Sequence, residues 1–399
     1  MLMPSGKKLA EHAIFADTSK LDGKALSQFY DAIKVEGVVK GALMPDAHAG
    51  YSLPIGAVVA TDGLVFPSWV GYDIGCGVCA IETPFVEEDL KLLRKEIFDE
   101  IYKTIPVGFN IRTKRHDSMD EGTVDWFWDN WLTPLDRPSY ITDDLRKVWK
   151  DKNADRALGT LGGGNHFIEL GVNKHDDRVW IIVHSGSRGF GHGLATHYMK
   201  LAANGKASEG NFGFSMNSQE GLDYYNDVSF TLMYALRNRA IMIDDVIWKL
   251  CQATNTMYKS SDWEGTFVNR NHNHVEYNSV HCVYIHRKGA THAEAEMLGI
   301  IPGNMRDGCY LVKGKGNWDS LYSSSHGAGR LLGRRVAKET LDYDKFVNEM
   351  SAADIVARTD KGVLDESPDA YKNFDEVMEH QEELIDVLTH FRTILNVKG

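Results

Sequence analysis

Apolar residues in this chain come in short runs that keep stopping at glycine, and that punctuation limits the fold more than any other feature. Between residues 40 and 85 the runs Ile55 to Ala60, Leu64 to Phe66 and Val78 to Ile81 are separated by glycines and prolines, a texture of strands and turns. Glu87 to Ile105 turns charged and helical. Val179 to His184 predicts a buried strand that runs into Ser185-Gly186-Ser187-Arg188-Gly189, then a helix with Leu194, His197, Tyr198 and Leu201 on one face. Val228, Leu232, Leu236, Ala240, Ile243, Ile247 and Leu250 step by three or four, so residues 225 to 252 form a long amphipathic helix. Short strands are expected at His281 to Ile285 and Cys309 to Lys313, and a last helix is expected to carry Val377, Leu384, Leu388, Phe391 and Leu395. Strands and helices without regular βαβ alternation give the class α+β.

The 399 residues are 43 % hydrophobic and 25 % charged, which excludes a disordered or collagen-like chain. No run approaches the roughly 18 apolar residues of a membrane span, and Met1 to Ala16 has no apolar run of the secretory kind. Five cysteines, Cys76, Cys79, Cys251, Cys282 and Cys309, are too few and too odd in number for a disulfide framework, so a reducing, cytoplasmic protein is expected. The net charge of −12 argues against nonspecific coating of nucleic acid. Residues 342 to 386, however, hold 14 acids and 4 bases, a local net of −10. A basic groove elsewhere is therefore allowed, and Arg188, Lys288, Lys313, Lys315, Arg330, Arg334 and Arg335 could supply it, although scattered cations are more often a solvated surface. Residues 112 to 150, with Trp126, Trp128 and Trp131 among acids, suggest no chemistry; an excursion packing its aromatics on the main body is the plain account.

Eleven of the sixteen histidines lie between 166 and 326, several beside glycines at the ends of apolar runs, where distant segments can converge on a cleft. Gly71-Tyr72-Asp73-Ile74-Gly75-Cys76-Gly77 offers a carboxylate and a thiol three residues apart in a turn. With imidazoles they would suit Mn²⁺, Zn²⁺, Fe²⁺ or Co²⁺ rather than Mg²⁺. Cys76 and Cys79 also leave open a redox pair or a zinc knuckle. Gly159-Thr160-Leu161-Gly162-Gly163-Gly164-Asn165-His166-Phe167-Ile168-Glu169 brings backbone N–H groups close enough for a phosphate and delivers Asn, His and Glu. His184 followed by Arg188 fits a metal ligand beside an anion clamp, or only a tight turn. Asn271-His272-Asn273-His274 would put two histidines on one face if extended. In Ser323-Ser324-Ser325-His326-Gly327-Ala328-Gly329-Arg330 a histidine with small neighbours is accessible, as a nucleophile attacking phosphorus must be. None of the five decides alone, since a single histidine in such a place is usually structural.

Together and in this order the five pieces resemble the RtcB family of RNA ligases. Met44-Pro45-Asp46-Ala47-His48-Ala49-Gly50, Leu53-Pro54-Ile55-Gly56, His286-Arg287-Lys288-Gly289-Ala290-Thr291, Gly314-Lys315-Gly316-Asn317, Ala370-Tyr371-Lys372 and Lys398-Gly399 agree, so the resemblance runs from Met44 to the last residue. It implies a single catalytic domain over residues 1–399 with a central metal and nucleotide cleft. It also implies GTP and two Mn²⁺ ions as cofactors, and RNA substrates: a 3′-phosphate or 2′,3′-cyclic phosphate end joined to a 5′-hydroxyl end, in tRNA splicing or RNA repair. His326 takes the place of the histidine that carries GMP. Asp73, Cys76, His166, His184 and His272 match the metal ligands, with Cys76 bridging two ions. Asn165 and Arg188 match phosphate-holding residues, and Glu169, Tyr371 and Lys398 match residues around guanine. Asn273, Pro302, Asn304, Cys309, Gly327 and Gly329 complete the expected nucleotide contacts, with Arg188 and Arg330 expected on RNA. An activating protein is a further possible partner.

Two stretches depart from the family pattern. Pro302-Gly303-Asn304-Met305-Arg306-Asp307-Gly308-Cys309-Tyr310 stands where Pro-Gly-Ser-Met-Gly-Thr-Ala-Ser-Tyr is common, so Arg306 is expected either to contact phosphate or to narrow the pocket. His274 stands in place of a tyrosine and is expected to put an extra titratable group beside His272, as a further ligand or a polar neighbour. Two other classes compete: a manganese-dependent hydrolase of phosphate ends, for which His326 would be expendable, and a non-catalytic binder of RNA ends or nucleotide.

Overall fold

A computed structural model describes residues 9–119, 122–131, 138–205, 210–257 and 265–399. The α+β expectation holds. The larger sheet runs in the order Leu298–Pro302, Cys309–Gly314, Ile385–Lys398, Phe167–Asn173, Arg178–Ser185, Gly77–Val86 and Phe267–Asn271, all neighbours antiparallel. The second sheet orders Glu11–Ile14, Val38–His48, Ile55–Thr61, Val283–Lys288 and Asn273–Asn278. The chain passes from one sheet to the other at His272, between the strands Phe267–Asn271 and Asn273–Asn278.

The long helix is Gln219–Thr254, and its Met242, Ile243, Val246, Ile247 and Leu250 share a core with Val179, Ile181 and Val183 of the sheet. In the middle of that apolar face stand Asn238 and Arg239, both wholly buried, which the stepping pattern gave no reason to single out. Trp126 and Trp128 of the helix Val124–Trp131 pack against the core that holds Phe127 and Phe230, and Trp149 of Asp143–Asp151 meets Phe190 edge-on at 5.5 Å. The remainder of the Trp-rich stretch, residues 120–121 and 132–137, lies outside the described residues, as does the side chain of Trp131. Among the described residues no helix is long and apolar enough to cross a membrane.

The expected last helix is wrong. Val377 lies on a short helix, Phe374–Glu379, but Leu388, Phe391 and Leu395 belong to the strand Ile385–Lys398, with Leu384 just before it. Spacings of three and four between those residues mimic a helical stripe. The competing signal is β-branching at Ile385, Val387, Thr389, Thr393, Ile394 and Val397, and the continuous buried run Thr393 to Lys398 marks a strand covered on both faces. This strand sits inside the sheet between Cys309–Gly314 and Phe167–Asn173, so sheet pairing overrode a local pattern.

Candidate active site

Antiparallel pairing brings the functional residues to one end of five neighbouring strands. Lys398 pairs with Phe167, Phe167 with His184, and Gly77 with both Ser185 and Asn271. His166 precedes the start of one strand and Cys76 that of another, while His184 and His272 lie at the ends of the strands between and beside them. The N–H of His272 donates to the Cys76 carbonyl at 2.7 Å and locks that junction.

The ligand atoms converge. His166 Nε2 lies 3.0 Å from Asp73 Oδ2 and 3.4 Å from Cys76 Sγ. Cys76 Sγ is 3.3 Å from His184 Nε2, which is 3.3 Å from His272 Nε2. Ligands about 2.1 Å from a tetrahedral ion stand about 3.4 Å apart, so these separations fit a metal shell. The atoms fall into two groups, Asp73 with Cys76 and His166, and Cys76 with His184 and His272, and Cys76 is common to both. Burial pushes His184 and His272 well below the usual imidazole range, which keeps them neutral, the form that binds a metal. Burial, with Asp73 beside it, pushes the Cys76 thiol up, so the thiolate forms when a cation takes the place of its proton. His166 Nδ1 donates to the Leu161 carbonyl at 3.0 Å, which turns Nε2 toward the cluster. Carboxylate, thiol and three imidazoles in this arrangement fit two borderline divalent ions. The Cys-x-x-Cys alternatives find no support: Cys79 is wholly buried in the core with Ile97 and Ile101.

Arg239 holds this cluster from behind. Its guanidinium donates to the carbonyls of Gly75 at 2.8 Å and Ser185 at 2.9 Å and to the side chains of Asn269 and Asn271. Asn238 accepts from the N–H groups of Gly159 and Thr160 and donates to the Gly186 carbonyl. A buried guanidinium is tolerated because all these acceptors meet it. The available signal for both was a polar pair on the apolar face of a long helix.

Next to the cluster opens a cleft of about 870 Å³, part of it open to solvent. Among its lining residues are His184, Asn165, Glu169, Pro302, Asn304, Cys309, His326, Gly327, Gly329, Arg330, Tyr371 and Lys398, a dozen of the sequence-predicted residues. His326 sits where cleft and cluster meet, its ring centroid 4.8 Å from that of His272. Its Nδ1 lies 2.6 Å from Oδ2 of Asp46, a wholly buried carboxylate. Burial alone would raise the Asp46 carboxyl, but His326 outweighs it and holds the group below its usual value. Asp46 was legible only as part of a motif.

At the other end of the cleft the buried Glu366 gathers cations. Lys398 Nζ donates to it at 2.7 Å, the Tyr371 hydroxyl at 2.6 Å and Arg330 at 3.1 Å, with Arg334 also paired. Burial raises the Glu366 carboxyl, yet Lys398 and Arg334 outweigh it and hold it at about 2. The C-terminal Lys398 is thus docked by the strand and by Glu366, a residue that its place in an acidic run concealed. Arg330 stacks its guanidinium over the Tyr371 ring at 5.1 Å.

Glu169 behaves in the opposite way. Asn396 donates to it at 2.8 Å and the Cys309 thiol at 3.3 Å, but burial prevails and pushes its carboxyl up to about 7. A folded value above the usual 4.5 means the fold loses stability as pH climbs through that interval. Glu169→Gln is expected to raise the melting temperature of the ligand-free protein by about 4 °C at pH 8 and to change little at pH 5, as thermal unfolding at the two pH values would show.

Other predicted residues are placed differently. Arg188 does not line the cleft; it lies behind the glycine turn beside His166 and donates to Thr160 Oγ1 at 3.0 Å and the Gly108 carbonyl at 2.7 Å. Asn273 ties turns together, donating to the Asp73 carbonyl at 3.1 Å and accepting from the Gly289 N–H at 2.7 Å. His274 is not beside the His272 cluster. It stacks on His292 at 4.6 Å and accepts from Arg287 at 3.0 Å, because alternate residues share a face only along one continuous strand and the chain breaks between strands at His272. Arg306 is absent from the cleft lining. It pairs with Asp307 at 2.7 Å and Glu349 at 3.3 Å in a neighbouring groove, so it does not narrow the cleft. If the cleft takes a purine nucleotide, Arg306→Gly is expected to shift the ratio of GTP to ATP binding by less than about twofold, measured with both nucleotides at subsaturating concentration.

A profile of the family described as "tRNA-splicing ligase RtcB" matches residues 28–399. The chain is 33 % identical over 401 residues to "RNA-splicing ligase RtcB" of Escherichia coli strain K12, covering 95 % of each chain. It is 29 % identical to "tRNA-splicing ligase RtcB" of Aeropyrum pernix, over 89 % of this chain and 86 % of that one. The protein of the same description from Thermococcus kodakarensis is 28 % identical, with 97 % and 94 % covered.

Proposed function

The chain belongs to the RtcB family and is thereby an RNA ligase; from this we propose that it joins RNA 3′-phosphate or 2′,3′-cyclic phosphate ends to 5′-hydroxyl ends through GMP carried on His326, as one catalytic unit. The observation that carries the reading is the His326–Asp46 pair at the junction of cleft and metal cluster. With Nδ1 turned to Asp46, Nε2 of His326 is the nitrogen left to attack the GTP α-phosphorus. An N–P bond forms, the bond to the β-phosphate oxygen breaks and pyrophosphate leaves. The positive charge that grows on the imidazole is offset by Asp46, which keeps its place on Nδ1 throughout.

The RNA 3′-phosphate then attacks the same phosphorus, the N–P bond breaks and His326 is restored. A 5′-hydroxyl attacks the activated RNA phosphate, and GMP departs. A cyclic phosphate must first be opened by water. In this reading Asp73, Cys76, His166, His184 and His272 hold two Mn²⁺ ions, which when bound neutralise phosphate charge and polarise the attacked phosphorus. Glu169 accepts from the guanine N–H edge, Lys398 donates to its carbonyl, and Tyr371 with Arg330 forms a flat wall beside it. Asn165, on the cleft wall, would hold the phosphates.

Incubation of the protein with GTP, MnCl₂ and RNA carrying 3′-phosphate and 5′-hydroxyl ends tests the reading. Joined RNA is the expected product. Loss of the terminal phosphate without joining would place the hydrolase reading ahead, and binding without either reaction would favour the non-catalytic one.

A further inference from the structure

The cleft accounts for one face of the metal cluster and leaves the other unassigned. Asp73, His166 and Arg188 do not line the cleft, and the Asp73 side chain is 34 % exposed. If the cleft is filled by GMP on His326, an RNA end has to approach the cluster from this Asp73 side. Aromatic rings collect there. Tyr72, the residue before Asp73, stacks face to face on His192 with centroids 5.0 Å apart and planes 20° apart. His192 lies one helical turn after Arg188 on the helix Arg188–Ala202. Tyr51 meets Tyr72 edge-on at 5.9 Å and is 61 % exposed.

Tyr51 is not a loose surface ring. Gln28 accepts from the Gly50 N–H at 3.0 Å and donates to the carbonyls of both Gly50 and Tyr51, clamping the turn that presents it. The ammonium of Lys288, itself donating to the Ser68 carbonyl, stands 6.0 Å from the Tyr51 centroid. Arg188 itself donates to the Gly108 carbonyl, and the next residue, Phe109, is wholly exposed. Exposing so much aromatic surface beside a polar site costs solvation, and the turn that presents Tyr51 is held in place by hydrogen bonds rather than folded away.

We infer that Tyr51, Tyr72, His192 and Phe109 form a stacking platform for the unpaired bases next to the RNA end, so that this protein takes single-stranded rather than paired termini. The inference rests on the ligase reading and deepens it. Every base offers a π face, so rings grip an end without reading its sequence, and the nearby Lys288 and Arg188 are cations such platforms use. Presenting the bases flat leaves the terminal phosphate to reach Asp73 and its neighbours.

The test uses manganese-loaded protein without GTP, so that nothing reacts, and a single-stranded 3′-phosphate RNA whose last base is 2-aminopurine. Quenching of its fluorescence on binding is expected, and a blunt duplex with the same end should bind at least fivefold more weakly. Tyr51→Ala and Phe109→Ala should each raise the RNA concentration for half-maximal quenching at least fivefold, and Tyr51→Phe should restore it. Equal binding and quenching by Tyr51→Ala and the wild type would overturn the platform, as would rescue by Tyr51→Leu, which supplies bulk without a π face. Covalent labelling of the wild type by GTP, measured without RNA, tests the ligase reading separately: failure there with quenching intact leaves an RNA-end binder, and success there with no quenching leaves a ligase without this platform.

Discussion

His326→Ala is expected to abolish covalent GMP on the protein and to lower RNA joining by at least about 10³-fold. With α-labelled GTP and MnCl₂, the wild type should carry a label that survives denaturation and alkali and is lost in acid, as a phosphoramidate does. The variant should carry none. Its folding is little at risk, because His326 contributes one ring to the cleft wall and follows a segment held by the pairing of Ser323–Ser325 with Ala290–His292. Metal content measured on the same sample separates lost chemistry from lost ions, since His326 is outside both ligand groups. Asp46→Asn should fall between the two, with the ring retained but no charge to offset the imidazolium. A labelled His326→Ala protein would sink the covalent reading.

Cys76→Ala should be nearly as severe, and for a different reason. One sulfur belongs to both ligand groups, so its removal leaves two ligands for each ion: Asp73 and His166 on one side, His184 and His272 on the other. Under conditions where the wild type holds two manganese ions, the variant should retain fewer than one, and ligation should fall in proportion. Asp73→Asn removes a ligand from one group only and should spare the other ion. Retention of two ions by Cys76→Ala, measured by elemental analysis after dialysis, would show that the sulfur is not shared.

Much of the site was legible because its chemistry travels with glycine. Asp73, Cys76, His166, His184, His272 and His326 each sit in or beside a turn, where local sequence sets the backbone and short motifs carry both the reactive group and the means of exposing it. Gly329 shows the coupling: its φ is +73°, and a Cβ there would meet the Asp46 carbonyl at 2.2 Å, so a glycine three residues after His326 is required for the nucleophile's segment to approach that of its carboxylate. Asp46, Glu366, Asn238 and Arg239 were hidden for the opposite reason. Their work is to meet a partner distant in sequence, and an acid in an acidic run or an arginine on a helix looks alike with or without that partner.

The strand Ile385–Lys398 marks the boundary most sharply. Read alone, its apolar spacing suits a helix, and only its position between two strands, with both faces covered, makes extended chain the better way to satisfy its backbone. That same pairing docks Lys398 beside Phe167 and Glu366. By itself the sequence determined the residue types, the turns that expose them and the family they belong to, because these depend on neighbours along the chain. Which groups meet was decided by the tertiary structure: that Cys76 is common to two ligand groups, that His326 faces Asp46, that Arg306 and His274 point elsewhere. Pairing register and burial act between residues tens to hundreds of positions apart, and no local pattern encodes their distances.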